Sequence, residues 1–190
     1  MGYTVNKEKE ILELLKQDLD EHRLLHSIGC AKCAAELACD YGLNEQKAYV
    51  AGLLHDCAKC FSKDKMFEYV ELIELKEGEC ENFKVLHAPV SAYIAEKKYG
   101  IEDKEILSAI RWHTIGHVNM SNFEKIIFLA DKIEPMTRNL EYSEMILNIL
   151  KEPDGLNKAL LVCYKETIKS LLRRDLKICM DTVDIYNSLV

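Results

Sequence analysis

Histidines and aspartates at helical spacing are the residues of this sequence whose types could do chemistry. His55 and Asp56 are adjacent, and the spacing of Ala48, Ala51, Gly52 and His55 predicts one inward-facing helix surface. Burying two ionisable groups there costs several kcal/mol each unless a partner compensates them. A divalent metal ion would compensate both, because neutral imidazole and carboxylate are ordinary ligands of Zn, Mn, Fe, Co and Ni.

Further candidate ligands lie on other predicted helices. Asp131 occupies the apolar face of a helix, one turn after Ile127, where an aspartate is unusual. A single histidine on such a face is more often a core residue than a ligand. Four histidines and two aspartates together, however, predict a buried metal cluster. The histidines that fall on four different helices or helix ends are His26, His55, His87 and His113.

The composition predicts one globular domain spanning residues 1–190. Apolar residues make up 48% and charged residues 30%, and the net charge of −7 argues against a nucleic-acid polymer as the main partner. An anionic small substrate is compatible with this charge if metal ions and local cations supply a positive field. No apolar run approaches the roughly 18 residues that span a bilayer, and no export signal is present. We therefore expect a cytoplasmic protein that does not contact a membrane.

The 3.6-residue apolar period recurs almost throughout, which predicts an all-α fold. Asn44 and Ser121 are predicted to cap helices, and Gly42, Gly100 and Pro135 to end them. A charged loop is expected over 76–82. The metal-site core is expected within about 18–135, with C-terminal helices over 141–190 packing on it. The other predicted helical segments are 6–19, 21–41, 63–75, 89–99, 103–113, 141–150 and 155–188.

In this order, the candidate ligands resemble the extended signature of the HD-domain metal-dependent phosphohydrolases. More narrowly, the sequence is similar to the YqeK-type symmetrical bis(5'-nucleosyl)-tetraphosphatases. It departs from that family where Met136 and Thr137 separate Pro135 from Arg138, and where His117 stands in place of an expected arginine. The matching stretches are 23–27 (RLLHS), 52–59 (GLLHDCAK), 86–90 (LHAPV), 112–116 (WHTIG), 128–135 (FLADKIEP) and 181–187 (DTVDIYN).

The resemblance implies a single-domain HD-type helical bundle with a buried binuclear metal site. It implies two divalent or mixed-valence ions, iron first, with Mn, Co, Ni or Zn as alternatives. Asp56 would bridge the ions. The remaining ligands would be His26, His55 and Asp131 for one ion and His87 and His113 for the other.

The substrate implied by the resemblance is diadenosine tetraphosphate or a related anionic dinucleotide. A hydroxide held between two ions would attack the middle of the phosphate chain and release two nucleoside diphosphates. The sequence leaves the oligomeric state open, with a homodimer as one possible assembly.

Several residues are candidates for substrate contact. Lys59, one turn beyond His55, is the first candidate for a catalytic phosphate cation and Arg138 the second, although an ordinary solvated lysine is the alternative for Lys59. Thr114 either donates a hydrogen bond to a phosphate or simply forms a turn. His117 is the fourth candidate substrate contact. His22 is assigned three alternative roles: support of a ligand, substrate contact or solvation.

Rival functions remain open at this point. The same ligands suit another HD-type nucleotide phosphohydrolase, either a nucleoside monophosphatase or a deoxynucleotide triphosphohydrolase. Two Cys-x-x-Cys pairs, Cys30 with Cys33 and Cys57 with Cys60, suggest a zinc or redox module. Against it, zinc cysteines usually lie on Gly- or Pro-rich turns, which are missing here. A non-catalytic partner-binding helical protein is a further alternative, which the complete ligand set disfavours.

Overall fold

The fold is built from helices throughout the part of the chain that is described. The computed structural model describes residues 5–75 and 83–190, and no strand occurs in these ranges, which confirms the all-α prediction. Within the same ranges no helix is long and apolar enough to span a membrane. The helices are α1 (Val5–Asp18), α2 (Glu21–Asp40), α3 (Glu45–Leu54), α4 (Lys63–Val70), α5 (His87–Lys97), α6 (Lys104–Trp112), α7 (Asn122–Ile133), α8 (Leu140–Leu150), α9 (Gly155–Arg173) and α10 (Met180–Ser188).

Polar side chains start two of the helices that carry the site, as predicted. The Asn44 side chain accepts a hydrogen bond from the backbone N–H of Lys47 at 2.9 Å at the start of α3. Ser121 and Glu124 form a reciprocal capping box at the start of α7. Gly42 follows α2 with a φ of 65°, which is the left-handed conformation expected after a helix.

Two boundaries near the site differ from the sequence prediction. The helix predicted over 63–75 ends at Val70, because the backbone N–H groups of Leu72 and Ile73 bond three residues back in successive turns. The helix predicted from Pro89 instead starts at His87, which places Pro89 in its first turn. Proline is tolerated there, because the N–H groups of the first turn have no intrahelical acceptor. The loop predicted over 76–82 lies outside the described residues.

The C-terminal segment predicted as helical over 155–188 is divided into α9 and α10. Asp175 adopts a φ of 50° directly after α9. The N–H of Leu176 then bonds to the carbonyl of Leu171 at 3.0 Å, and the N–H of Asp175 bonds to Leu172 at 3.2 Å. This is a Schellman ending, which stops the helix although the apolar period continues.

The core lies between α2, α3, α6 and α7, and α8 and α9 pack on the outside of α7. Burying a leucine or isoleucine side chain contributes about 1.5–3 kcal/mol, so this interface supplies much of the stability. The single domain expected over residues 1–190 stays a prediction. The largest fully buried side chains of these helices include Leu53, Leu54, Ile106, Ile110, Ile126 and Ile127.

Gly52 allows α3 to lie directly on the backbone of α2. A Cβ atom at Gly52 would lie 2.8 Å from the Cα of Ala31 and 2.9 Å from the carbonyl oxygen of Cys30. Only glycine permits this approach, because any side chain would contact immobile backbone. The approach brings the ring of His55, at the C-terminal end of α3, within 5.2 Å of the ring of His26 on α2.

We therefore expect Gly52→Ala to lower the free energy of unfolding by about 1–3 kcal/mol, because the added methyl group separates α2 from α3. Urea unfolding of the metal-free protein measures this change. Gly42→Asn is the matched control, since a Cβ there meets nothing within 4 Å and asparagine tolerates a positive φ. Equal stability of the Gly52→Ala and wild-type proteins would contradict the tight approach.

Candidate metal centre

The six side chains predicted as metal ligands meet in the interior. They come from α2, the end of α3, the start of α5, the end of α6 and α7. Each is at most 6% exposed, so charge on any of them needs a compensating group. The six residues are His26, His55, Asp56, His87, His113 and Asp131.

Asp56 lies between two groups of histidines. Its Oδ1 atom is 3.0 Å from Nε2 of His87 and 3.4 Å from Nε2 of His113. Its Oδ2 atom is 3.5 Å from Nε2 of His55 and 3.9 Å from Nε2 of His26. One carboxylate thus presents a different oxygen to each pair of imidazoles, which is the arrangement that a bridging ligand needs.

Asp131 lies on the His26 and His55 side of the cluster. Its Oδ1 atom is 3.0 Å from Nε2 of His26 and 3.6 Å from Nε2 of His55. Two groups of residues have candidate ligand atoms within 4.8 Å of one another: His26, His55 and Asp56, and Asp56, His87 and His113. Both groups contain Asp56, and Asp131 lies beside the first of them. The assignment of these residues to two metal ions stays a prediction.

Backbone carbonyls orient three of the four histidines. A carbonyl oxygen only accepts hydrogen bonds, so each Nδ1 that contacts one carries the proton, and Nε2 keeps its lone pair for the cluster. This is the usual way in which a protein holds a metal-binding imidazole. The three contacts join Nδ1 to the oxygens of Gly52 at 2.6 Å for His55, Lys84 at 2.8 Å for His87 and Ile110 at 2.8 Å for His113.

The protonation states suit metal ligands. Burial lowers the pKa of His113 to about 4 and also lowers the pKa of His87, so both rings are neutral at pH 7. Burial alone would raise the pKa of Asp56, but the neighbouring histidines hold this pKa well below its usual range. Burial would likewise raise the pKa of Asp131, but the positive charge of Lys132 lowers it, and this pKa also lies well below its usual range. The cluster therefore combines ionised carboxylates with two neutral imidazoles.

His55 differs from these two histidines. Burial would lower the pKa of His55, but Cys30, Asp56 and Asp131 outweigh burial and raise this pKa well above its usual value. A metal ion would therefore displace a proton when it binds to Nε2 of His55.

Two buried atoms of the cluster need a partner that the described side chains do not supply. Nε2 of His55 and Oδ1 of Asp56 make no hydrogen bond with the described residues. Leaving a buried polar atom unpaired costs about 1–3 kcal/mol. A metal ion would satisfy both atoms, since each presents a lone pair. Nitrogen and carboxylate donors without thiolates fit Fe, Mn, Co, Ni or Zn.

Glu134 is a site residue that the sequence reasoning missed. It is fully buried, and its Oε1 accepts a hydrogen bond from Nδ1 of His26 at 2.9 Å. Its carboxylate also accepts from the backbone N–H groups of Met136 at 2.7 Å and Thr137 at 3.1 Å. Gly29 leaves room for it, because a Cβ there would meet Oε2 of Glu134. The Glu-Pro pair at the end of α7 was visible in the sequence, but its contact with His26 was not.

Four cations surround the two carboxylates. Lys59 and Arg138 lie beside the ligand cluster, as do Arg23 and Lys132, and the predicted contact of the first two with substrate stays a prediction. The contacts are Arg23 Nη1 to Asp56 Oδ2 at 2.8 Å, Lys59 Nζ to Asp56 Oδ1 at 3.9 Å and to His87 Nε2 at 3.0 Å, Lys132 Nζ to Asp131 Oδ2 at 2.6 Å, and Arg138 Nη2 to Asp131 Oδ1 at 2.6 Å.

The remaining predicted substrate contacts stand apart from this cluster or next to it. Nε2 of His117 lies 3.2 Å from Oε1 of Glu124, and its ring packs on Trp112, so His117 is held at the start of α7 instead of at the ligands. Thr114 is half-buried directly after His113, and its contact with substrate remains a prediction. His22 is exposed on the first turn of α2.

The cysteine pairs show none of the features of a zinc site. The cysteines that the structure describes are free. Cys30 and Cys33 are buried within α2, and Cys57 is buried while Cys60 is exposed. Among the described residues, the groups able to hold a metal ion are those of histidine and aspartate.

A comparison with protein families agrees with this site. The family model described as "HD domain" matches residues 23–136, more than half of the sequence. The chain therefore belongs to the HD-domain family, which confirms the HD-type fold expected from the sequence.

Within that family, the chain is similar to proteins named "Bis(5'-nucleosyl)-tetraphosphatase, symmetrical". It is 41% identical to that of Halalkalibacterium halodurans over 94% of this chain and 95% of the relative, and 37% identical to that of Bacillus subtilis over 98% of each. A crystal structure from Clostridium acetobutylicum, described as a "predicted HD superfamily hydrolase involved in NAD metabolism", matches with a TM-score of 0.88. It is 36% identical and covers 96% of each chain.

We expect Glu134→Ala to weaken metal binding about 10- to 100-fold, because His26 loses the acceptor that fixes its proton on Nδ1. Competition with a chelator measures the affinity. Urea unfolding of the metal-free variant shows whether the fold is also affected.

The control for this variant is Thr137→Val. It removes a hydroxyl that donates to Glu134 but retains the bond between Glu134 and His26. Its metal affinity should stay close to that of the wild-type protein. If Glu134→Ala binds metal as tightly as this control, Glu134 does not position His26.

Proposed function

We propose that this protein hydrolyses dinucleoside tetraphosphates, such as diadenosine tetraphosphate, to two nucleoside diphosphates in a metal-dependent reaction. The observation that carries the proposal is the position of Asp56, whose two oxygens face two separate histidine pairs. Relatives that match nearly the whole chain are named as symmetrical tetraphosphatases, and that name supplies the substrate class.

Two metal ions fit the residues present. His26, His55 and Asp131 would hold one ion together with Asp56, and the other two histidines would complete the second site. The ions, when bound, supply Lewis-acid charge and activate water for attack at neutral pH. We propose iron for both positions, and the donor set also suits Mn, Co, Ni and Zn.

The chain's own residues orient the phosphates and stabilise charge. In the proposed reaction, a water oxygen attacks one of the two central phosphorus atoms, and the bond from that phosphorus to the central bridging oxygen breaks. One product takes up the water oxygen, and the other leaves as a diphosphate that retains the bridging oxygen. Lys59 and Arg138 lie beside the ligand cluster, where they would stabilise negative charge on the phosphoryl oxygens.

Product identification tests the proposed reaction. Metal-replete protein should convert diadenosine tetraphosphate to ADP alone. AMP with ATP would indicate cleavage away from the centre of the chain. The other HD-type activities would be favoured if the dinucleotide is not turned over. A nucleoside monophosphatase would then release phosphate from a nucleoside monophosphate, and a deoxynucleotide triphosphohydrolase would release triphosphate from a deoxynucleoside triphosphate. Metal analysis of the same preparation identifies the ions.

Asp131→Ala and Asp56→Ala should lose both bound metal and turnover, because each removes a carboxylate from the ligand cluster. Elemental analysis and the ADP assay on the same sample measure the two losses. The matched control is Asp64→Ala, which removes an exposed aspartate from the first turn of α4. Full turnover of metal-replete Asp131→Ala protein would remove Asp131 from the proposed ligand set.

Lys59→Ala should lower kcat/KM for the dinucleotide about 10- to 100-fold, since a hydrogen bond to a charged group contributes about 1.5–3 kcal/mol. Its metal content should equal that of the wild-type protein. Loss of metal from this variant would assign Lys59 to support of the ligands instead of the phosphates.

We also propose that the protein acts in the cytoplasm, as its sequence suggests, and that a homodimer is the assembly to test. Fractionation of cells and sedimentation of the purified protein measure these two properties. Neither property enters the argument for the metal centre.

A further inference from the structure

The carboxylates of the site are each flanked by cations on both of their oxygens. Arg23 contacts Oδ2 of Asp56 at 2.8 Å, and Lys59 approaches Oδ1 at 3.9 Å. Around Asp131, Arg138 contacts Oδ1 and Lys132 contacts Oδ2, both at 2.6 Å. The four cations therefore form two pairs, a first pair around Asp56 and a second pair around Asp131.

Both pairs extend from the interior to the surface. The side chains of the two carboxylates are only 3% and 8% exposed, whereas those of Arg23, Lys59, Lys132 and Arg138 are 24%, 34%, 30% and 35% exposed. An arginine has five N–H donors and a lysine has three, so contact with one carboxylate leaves donors for a second anion. The exposed parts of these side chains make such donors accessible to a ligand from solvent.

The local charge favours an anion, although the protein as a whole carries a charge of −7. Four cations lie beside the carboxylates of Asp56, Asp131 and Glu134, and the exposed carboxylate of Asp20 also interacts with Arg23. Two bound metal ions would add to the charge of these cations and give the site a positive excess. A concentrated positive charge of this kind binds polyphosphate.

We infer that Arg23 and Lys132 are substrate-binding residues, and that each cation pair binds one diphosphate half of the tetraphosphate chain. The first pair is Arg23 with Lys59, and the second is Lys132 with Arg138. This inference rests on the proposed function. It adds a reason for cleavage at the centre, because two equivalent diphosphate sites place the central bridging oxygen between them.

The arrangement also selects for chain length. A tetraphosphate supplies two phosphates to each pair, whereas a triphosphate supplies two to one pair and one to the other. When one cation pair is damaged, a triphosphate can still place two of its three phosphates on the intact pair. It therefore loses less binding free energy than a tetraphosphate, which needs both pairs. Removing either new cation therefore lowers the preference for the tetraphosphate over the triphosphate.

The experiment uses the metal-loaded protein and the variants Arg23→Met and Lys132→Met, which retain an apolar stem and remove the charge. The first probe is inorganic pyrophosphate, whose affinity is measured by calorimetry. Each variant should bind it about 10- to 100-fold more weakly than the wild-type protein, as expected for a lost charge-assisted contact. Metal content should be unchanged in both variants.

The matched control is Lys47→Met. Lys47 also pairs with carboxylates, those of Asp103 at 2.8 Å and Glu105 at 3.0 Å, and its side chain is 32% exposed. It lies at the opposite end of α3 from His55. Its loss should leave pyrophosphate affinity as in the wild-type protein.

The second measurement is the ratio of kcat/KM for diadenosine tetraphosphate to that for diadenosine triphosphate. This ratio should fall in both variants and stay constant in Lys47→Met. Unchanged pyrophosphate affinity in both variants, or loss of metal from both, overturns the inference. If the wild-type protein does not cleave the tetraphosphate at its centre, the proposed function fails, while pyrophosphate binding still decides whether these two cations bind phosphate.

Discussion

The structure depends on compensation of the negative charge that is buried on Asp56. Four imidazole nitrogens, which could share a bound cation with this carboxylate, lie within 3.9 Å of its two oxygens. A carboxylate without such partners would be too costly to bury in an apolar helical core. Because every partner comes from a separate helix or helix end, the carboxylate can be satisfied only when the helices pack in one arrangement.

Close backbone approach makes that packing possible. Gly52 lets α3 rest on α2, and Gly29 leaves room for the carboxylate of Glu134. Glu134 in turn bonds to Nδ1 of His26 and to the backbone that follows α7. Small residues thus connect the helix interfaces to the orientation of a single imidazole. Replacing them would disturb the site although neither glycine supplies a ligand atom.

The concentration of cations at the site contrasts with the negative net charge of the whole protein. A net charge of −7 indicates that the surface as a whole repels polyanions. Four cations nevertheless lie beside the cluster, and they are brought together by α2, α7 and the segments that follow α3 and α7. Desolvation strengthens charges at close range, so these few cations outweigh distant carboxylates for a ligand bound between them.

The amino-acid sequence by itself determined the helices, two of their caps and the six ligand candidates. These follow from local rules, because the 3.6-residue period shows which side chains point inward, and a polar residue such as Asp131 on that face is conspicuous. Only the tertiary structure decided which histidines face which oxygen of Asp56. It also decided that Glu134 bonds to His26, more than one hundred residues away in the sequence. The positions of Arg23 and Lys132 beside the carboxylates likewise depend on the packing of the helices. The tertiary structure also decided the break between α9 and α10, where the backbone of Asp175 turns left-handed while the apolar pattern continues. Contacts between distant segments, and backbone angles at turns, depend on how the helices pack, and no local spacing of residue types encodes them.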